Sequence, residues 1–407
     1  MKKTIRDIDL KNKKIIMRVD FNVPLKNGVI KDDTRIREAF PSIKYILEQK
    51  GASLILMSHL GRPDGQVKPE LSLKPAADRV SELLGKKVIM LSDCIGTEVE
   101  KACASLKAGE IILLENLRFH ADEDTKDKEK RSEFAKKLAS LADVYVNDAF
   151  GTAHREHAST ATIARFKDTA VAGFLMEKEI KYFEKLLKNP DKPFVAILGG
   201  AKVSDKIGVI TNLLKIADTI VIGGGMAYTF YKALNKTIGN SLFTADDLPV
   251  SEKILKEAKE KGVDIILPVD NIATDANVKD MFADATLADK AAIKTVEDNI
   301  PDGWSGVDIG PKTVEKIKTV LKKAKTVLWN GPMGIFEIEK FANGTLEIAK
   351  TLAEIKATTV IGGGDSVAAV NKFKLADKMS HVSTGGGASL EYMEGKILPG
   401  VDLLNDK

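Results

Sequence analysis

The residues best suited to chemistry fall into two groups of opposite character. In the first group, apolar runs end in Arg18-Val19-Asp20-Phe21-Asn22-Val23-Pro24, His59-Leu60-Gly61-Arg62-Pro63, Asn116-Leu117-Arg118 and Asn147-Asp148. Arg35 lies in Asp32-Asp33-Thr34-Arg35-Ile36, where Thr34 is a candidate N-cap, and Arg155 follows His154. On an extended backbone Asp20 and Asn22 point the same way, so both can meet one ligand's hydroxyls. A guanidinium matches carboxylate and phosphate bidentately. One such arginine is more often a surface ion pair; a set of them at strand ends, with His59, points to an anion pocket.

The second group is built from glycine and lysine: Gly199-Gly200-Ala201-Lys202-Val203-Ser204-Asp205-Lys206, Gly223-Gly224-Gly225, Asn330-Gly331-Pro332, Gly362-Gly363-Gly364-Asp365-Ser366 and Ser383-Thr384-Gly385-Gly386-Gly387-Ala388-Ser389. Glycine lets backbone N–H groups face a phosphate, and a helix N-terminus favours negative charge. Lys202 and Lys206 are four apart and are expected on one helix face. Asp365 is the natural Mg²⁺ ligand, because that ion takes one or two carboxylates plus phosphate oxygens. The division follows the chain. Every arginine lies at or before Arg165, and of 31 glycines 8 precede residue 171 and 23 follow it.

These residues must be placed by elements, and short apolar runs alternating with amphipathic segments predict βα units around parallel sheets. Strands are expected over 15–21, 54–60, 88–91, 111–117 and 144–150, then 194–198, 219–222, 264–269, 326–329 and 358–361. Segments 251–261 and 313–325 read as helices. The fold class is α/β, with two Rossmann-like three-layer domains joined by a hinge helix over about 174–188, which Asn189-Pro190-Asp191 stops. The expected domains are 1–170, with a tail 390–407 packing back on it, and 171–389. Ligands bind beyond the carboxyl ends of strands in such sheets. The densest charge run, 122–131, reads as a solvated loop and helix start.

Other classes are disfavoured. A net charge of +4 over 407 residues does not argue for nucleic acid or a membrane surface. No apolar run approaches the roughly 20 residues of a membrane span. The start Met1-Lys2-Lys3-Thr4-Ile5-Arg6-Asp7 is basic without the apolar stretch of an export signal, and Cys94 and Cys103 are too few for a disulfide framework. A cytoplasmic location is the expectation. There is no G-x-x-x-x-G-K-[ST] loop, no G-x-G-x-x-G, no H-R-D and no D-F-G. This argues against a dinucleotide oxidoreductase and the common kinase superfamilies. A two-lobed solute-binding module fits poorly without an export signal.

The runs 18–24, 32–36, 59–63, 114–120, 199–206, 329–337, 362–366 and 383–388 resemble phosphoglycerate kinase, in that family's order and over essentially the whole chain. The resemblance implies that the first domain holds 3-phosphoglycerate or 1,3-bisphosphoglycerate and the second holds ADP or ATP with Mg²⁺. Asp20 and Asn22 would meet the hydroxyl and carboxyl end of the acid. His59, Arg62, Arg118 and Arg155 would hold its phosphate, and Arg35 would stabilise the phosphoryl group in flight. Lys202 and Lys206 would contact nucleotide phosphates. Gly225 would line the adenine slot, with Gly306 near it. Asn330 would approach the phosphates and Glu337 the ribose. Gly363, Gly364 and Ser366 would meet phosphate, Asp365 the metal, and Gly386 would sit in the turn aimed at the transferred group. Intact Arg35, Lys202 and Asp365 argue against an inactive member. A monomer is the family expectation.

The implied nucleophile is a carboxylate, ionised at neutral pH, so no general base is required. The transfer needs alignment and cancellation of negative charge, which Arg35, Lys202, Gly363, Gly386 and Mg²⁺ would supply. Closure about residues 170–190 is expected to bring the two ligands together.

Overall fold

The structure, a computed structural model, describes residues 1–284 and 286–407. The chain forms two compact units, 1–181 with 397–407, and 182–396. The expected seam near residue 170 falls instead inside the helix Phe174–Lys188. The first turns of that helix are tied to the first unit. Phe174 N donates to Ser42 Oγ (2.8 Å) and Met176 N to Asp148 Oδ1 (3.0 Å). The returning tail begins at Ile397 rather than near 390, because Gly387–Met393 is held by Asn212 Nδ2 donating to Met393 O (2.9 Å). Beyond it, Asn147 Nδ2 donates to Gly400 O and Ala170 N to Asn405 Oδ1.

In the first unit, strands β1 (Lys14–Arg18), β2 (Ser53–Met57), β3 (Val88–Met90), β4 (Ile111–Leu113), β5 (Val144–Asn147) and β6 (Ala170–Ala172) form a parallel sheet ordered β3-β4-β2-β1-β5-β6. Side chains alternate across a strand. Ile15 and Met17 of β1 pack with Leu54 and Leu56 of β2 against Ile36, Ile43 and Ile46 of the helix Thr34–Glu48. Ile16 and Ile55 are also fully buried. Both faces are therefore covered, and the strands read as unbroken apolar runs, as buried parallel strands do. Each strand is shorter than its apolar run. β1 stops at Arg18 and β2 at Met57, so Asp20, Asn22, His59 and Arg62 lie in the loops beyond. Thr34 is the first helical residue and not the cap; its N–H donates to Asp32 Oδ1 (2.8 Å).

The second unit repeats the plan. Strands β7 (Phe194–Leu198), β8 (Thr219–Ile222) and β9 (Asp264–Ile266) are followed by β10 (Asp270–Thr274), β11 (Ile293–Glu297) and β12 (Ser305–Ile309). Then come β13 (Thr326–Asn330), β14 (Thr358–Ile361) and β15 (His381–Val382). The parallel sheet is ordered β9-β8-β7-β13-β14-β15. Its core joins Val195, Ile197, Val327 and Trp329 to Ile317, Ile348 and Val370 of three helices. An antiparallel sheet, β11-β10-β12, was not expected. Its strands carry polar residues throughout, as in Ile293-Lys294-Thr295-Val296-Glu297, so no apolar run announces them.

In each parallel sheet the connections leave two neighbouring strands in opposite directions, β1 and β5 in one, β7 and β13 in the other. A ligand crevice forms beyond the carboxyl ends at such a switch point.

Candidate functional site

The first unit gathers its arginines and histidines at the carboxyl ends of β1, β2, β4 and β5. Arg35 Nη1 donates to Asp20 Oδ2 (3.0 Å) and Asn22 O (3.1 Å), while Asn22 Oδ1 accepts from Gly61 N (2.9 Å). Arg118 is buried and donates from Nη1 to Gly61 O (2.9 Å), but its Nε has no hydrogen-bond partner among the described residues. Arg155 Nε donates to His154 Nε2 (3.1 Å). Arg62 is exposed. The segments after β1, β2 and β4 thus bring Asp20, Asn22, Arg35, His59 and Arg118 into one connected set, and Arg155, from beyond β5, is close enough to Arg118 to depress the latter's basicity.

The electrostatics of this set are those of a cationic cluster short of counter-charge. Burial, then Arg18, Arg118, Arg35 and His157, hold His59 well below the ordinary imidazole range. Burial, then Arg118, Arg18 and Arg155, push His157 down to about 3, and its Nδ1 has no hydrogen-bond partner among the described residues. Burial and then Arg18 lower Arg118. A ligand carrying several negative charges would relieve all three at once.

Four builders of this pocket were not singled out from the sequence. Arg18 is 1% exposed. Its Nε donates to Ser159 Oγ (2.9 Å) and its Nη2 lies 3.0 Å from His59 Nδ1. Ser159 donates from Oγ to Glu123 Oε1 (2.5 Å) and from N to Glu123 Oε2 (3.0 Å). Glu123 lies within the run read as solvated, yet it is fully buried. His157 is the fourth. The one available signal was a charge, Arg18, closing the otherwise apolar run Ile15-Ile16-Met17.

In the second unit, the loops after β7 and β13 touch at the switch point. A Cβ on Gly199 would sit 2.0 Å from Pro332 O, so only glycine permits this approach. A cavity of about 570 Å³ opens beside them. Gly225, Leu242, Val307, Ile335 and Pro332 give it apolar walls, Gly306 lies in its lining, and Glu337 and Asp365 bring carboxylates. That is the size and character of a small-molecule site, apolar with a few placed polar groups. Tyr228 packs against Gly306, where a Cβ would meet its hydroxyl at 2.2 Å.

Next to the cavity's Gly200 and Asp365, a polar cluster joins three loops. Lys206 Nζ contacts Asn330 Oδ1. Asn330 is fully buried, with Nδ2 unpartnered among the described residues, beside Gly363 at φ +87°. Ser366 Oγ accepts from Gly331 N (2.5 Å). Burial lowers Lys206, while Asp365 acts to raise it. Gly364 and Asp365 open the helix Gly364–Lys372, and Gly386 precedes the short helix Gly387–Met393.

Lys202 does not share a helix face with Lys206. The chain turns through Ser204–Lys206 before the helix Ile207–Leu213 starts, so Lys202 stays outside it and is exposed while Lys206 is half-buried. Asp365 is exposed in the cavity lining, which suits an ion that keeps waters and shares phosphate oxygens.

A family model described as phosphoglycerate kinase matches residues 5–396. The chain is similar to the phosphoglycerate kinase of Fervidobacterium nodosum, 56% identical over 409 residues covering 100% of this chain and 99% of that one. It is 54% identical to the phosphoglycerate kinase of Clostridium tetani over 408 residues, 100% and 98% of the two chains. Among solved structures it is similar to phosphoglycerate kinase from Coxiella burnetii, with a TM-score of 0.88 and 40% identity over 99% of this chain and 98% of that one. The enzyme from Pyrococcus horikoshii gives 0.79 and 34%, covering 98% of each. Matched from end to end at these identities, the chain belongs to the phosphoglycerate kinase family.

Proposed function

We propose that this protein is a glycolytic phosphotransferase that moves a phosphoryl group reversibly between 1,3-bisphosphoglycerate and ADP, giving 3-phosphoglycerate and ATP. Membership of the family supports the reaction. The observation that carries the chemistry is the contrast between the two switch points. One collects guanidinium groups and depressed imidazoles with too little counter-charge. The other collects glycine backbone, a lysine and an exposed carboxylate around an apolar cavity.

In this reading the first unit takes the phosphorylated acid. Arg62, Arg118, Arg155 and His59 grip its phosphate, Asp20 and Asn22 its hydroxyl and carboxyl end, and Arg35 the phosphoryl group in transit. The second unit takes the nucleotide, with Gly225 and Gly306 at the base, Glu337 at the ribose, and Lys202, Lys206, Asn330, Gly363, Gly364 and Ser366 at the phosphates. Asp365 would hold Mg²⁺, which neutralises phosphate charge when bound. Gly363 and Gly386, each just ahead of a helix start, direct backbone N–H groups at the transferred group. Because the acid's carboxylate is already ionised, nothing here has to remove a proton, and orientation with charge cancellation does the work. Transfer between ligands held by different units needs a hinge-bending closure, which also excludes water. Action as a cytoplasmic monomer, with no nucleic acid or membrane partner, completes the reading.

The test is a coupled assay. ATP, Mg²⁺ and 3-phosphoglycerate are supplied with excess glyceraldehyde-3-phosphate dehydrogenase, and NADH oxidation is followed. Oxidation that requires all three is expected; none with a folded protein would overturn the reading.

A further inference from the structure

A guanidinium has only donors, whereas each imidazole nitrogen donates or accepts according to where the ring's proton sits. The 3.0 Å approach of Arg18 Nη2 to His59 Nδ1 therefore has one favourable arrangement, with Nδ1 accepting. The proton of a neutral ring is then on Nε2. Arg18 cannot turn away from this task. Its Nη1 is engaged by Val19 O and its Nε by Ser159 Oγ. The Ser159 hydroxyl in turn gives its proton to Glu123, which also receives the Ser159 N–H. Arg18, Ser159 and Glu123 are each 1% exposed or less and His59 is 4% exposed, so no water competes strongly for these bonds.

We propose that Arg18 is a positioning residue: anchored through Ser159 to Glu123, it fixes His59 as the neutral tautomer with its proton on Nε2, making the ring a constant donor toward a bound anion. The tautomer is set by the hydrogen bond at the other nitrogen, as is general for functional histidines. A second proton on Nδ1 would face Arg18, and Arg118, Arg35 and His157 add repulsion from other elements. The role in anion binding rests on the function proposed above; the tautomer itself does not.

The test separates the two. In ¹⁵N-histidine-labelled protein without substrate, long-range ¹H–¹⁵N spectra read the protonation of each ring nitrogen. The His59 signals are assigned by their loss in His59→Gln. The expected result is an unprotonated Nδ1 and a protonated Nε2, unchanged from pH 5.5 to 8. A proton on Nδ1, or a titration in that window, overturns the inference even if the coupled assay succeeds. In the paired variant Arg18→Met with Glu123→Gln, chosen to leave no uncompensated buried charge, the ring should show mixed tautomers or titrate. KM for 3-phosphoglycerate should then rise about tenfold and become pH-dependent with kcat less affected. A variant retaining the fixed tautomer and a pH-independent KM would equally overturn it. Should the variant not fold, the spectra of the unaltered protein still decide.

Discussion

The residues differ in how far their chemistry could be read from type and order alone. Arg35 shows the favourable case. It is a lone arginine shortly after the run that holds Asp20 and Asn22, and it bonds both of them through a side chain that is 39% exposed. A pair that exposed contributes only about 0–1 kcal/mol to stability. Arg35→Ala should accordingly leave the melting temperature and nucleotide affinity nearly unchanged while kcat falls by about 10²–10³. An unchanged kcat in the coupled assay would remove Arg35 from the transfer step. Glu123 shows the opposite case. In Asp122-Glu123-Asp124 nothing in the sequence distinguishes one acid from its neighbours, yet Glu123 is fully buried and Asp124 is not. Burial pushes its carboxyl up, and Arg18 and the Ser159 bonds pull it back. What singles it out is the fold of the turn Ala121–Glu123, which no local pattern encodes.

Among the elements, the parallel strands were legible because a strand covered on both faces must be apolar throughout. Their ends were not. The strand expected over 15–21 runs on past Arg18 because Val19 and Phe21 are apolar and buried, whereas the ladder itself ends at Arg18. The β10–β12 sheet escaped because its strands mix polar residues with apolar ones even where they are buried, although it supplies Gly306 and Val307 to the cavity. The glycine turns stand out in the sequence, and their phosphate-binding role is part of the function proposed above. Their geometric reason is the contact between the β7 and β13 loops. Gly199→Ala drives a Cβ to 2.0 Å from Pro332 O, a backbone atom that cannot step aside. Overpacking of that kind should cost about 1–3 kcal/mol in denaturant unfolding, and ADP affinity should fall with it as the loops part. Unaltered stability and affinity would mean the two loops do not meet.

At the scale of the molecule, each unit carries a buried carboxyl pushed up to about 7 by desolvation, Asp148 in the first and Asp308 in the second. Asp308 is bonded by Gly344 N and Ile309 N, which lower its affinity for the proton without cancelling burial. The folded state then holds a proton that the unfolded chain, with its ordinary carboxyl near 3.8, has released. The stabilisation is full below about pH 4 and is lost as pH rises toward 7. The stability of Asp308→Asn relative to the unaltered protein should therefore climb over that window, by up to about 4 kcal/mol; a difference flat with pH would refute the burial argument. The division of labour between the units is tested most directly by titration calorimetry of 3-phosphoglycerate and of Mg·ADP into two variants, Arg62→Ala and Asp365→Ala. Both residues are exposed, so neither change should disturb a core. The predicted result is a crossed pattern: Arg62→Ala loses affinity for the acid alone, and Asp365→Ala for the nucleotide alone and only when Mg²⁺ is present. Losses shared equally by both ligands in either variant would contradict it.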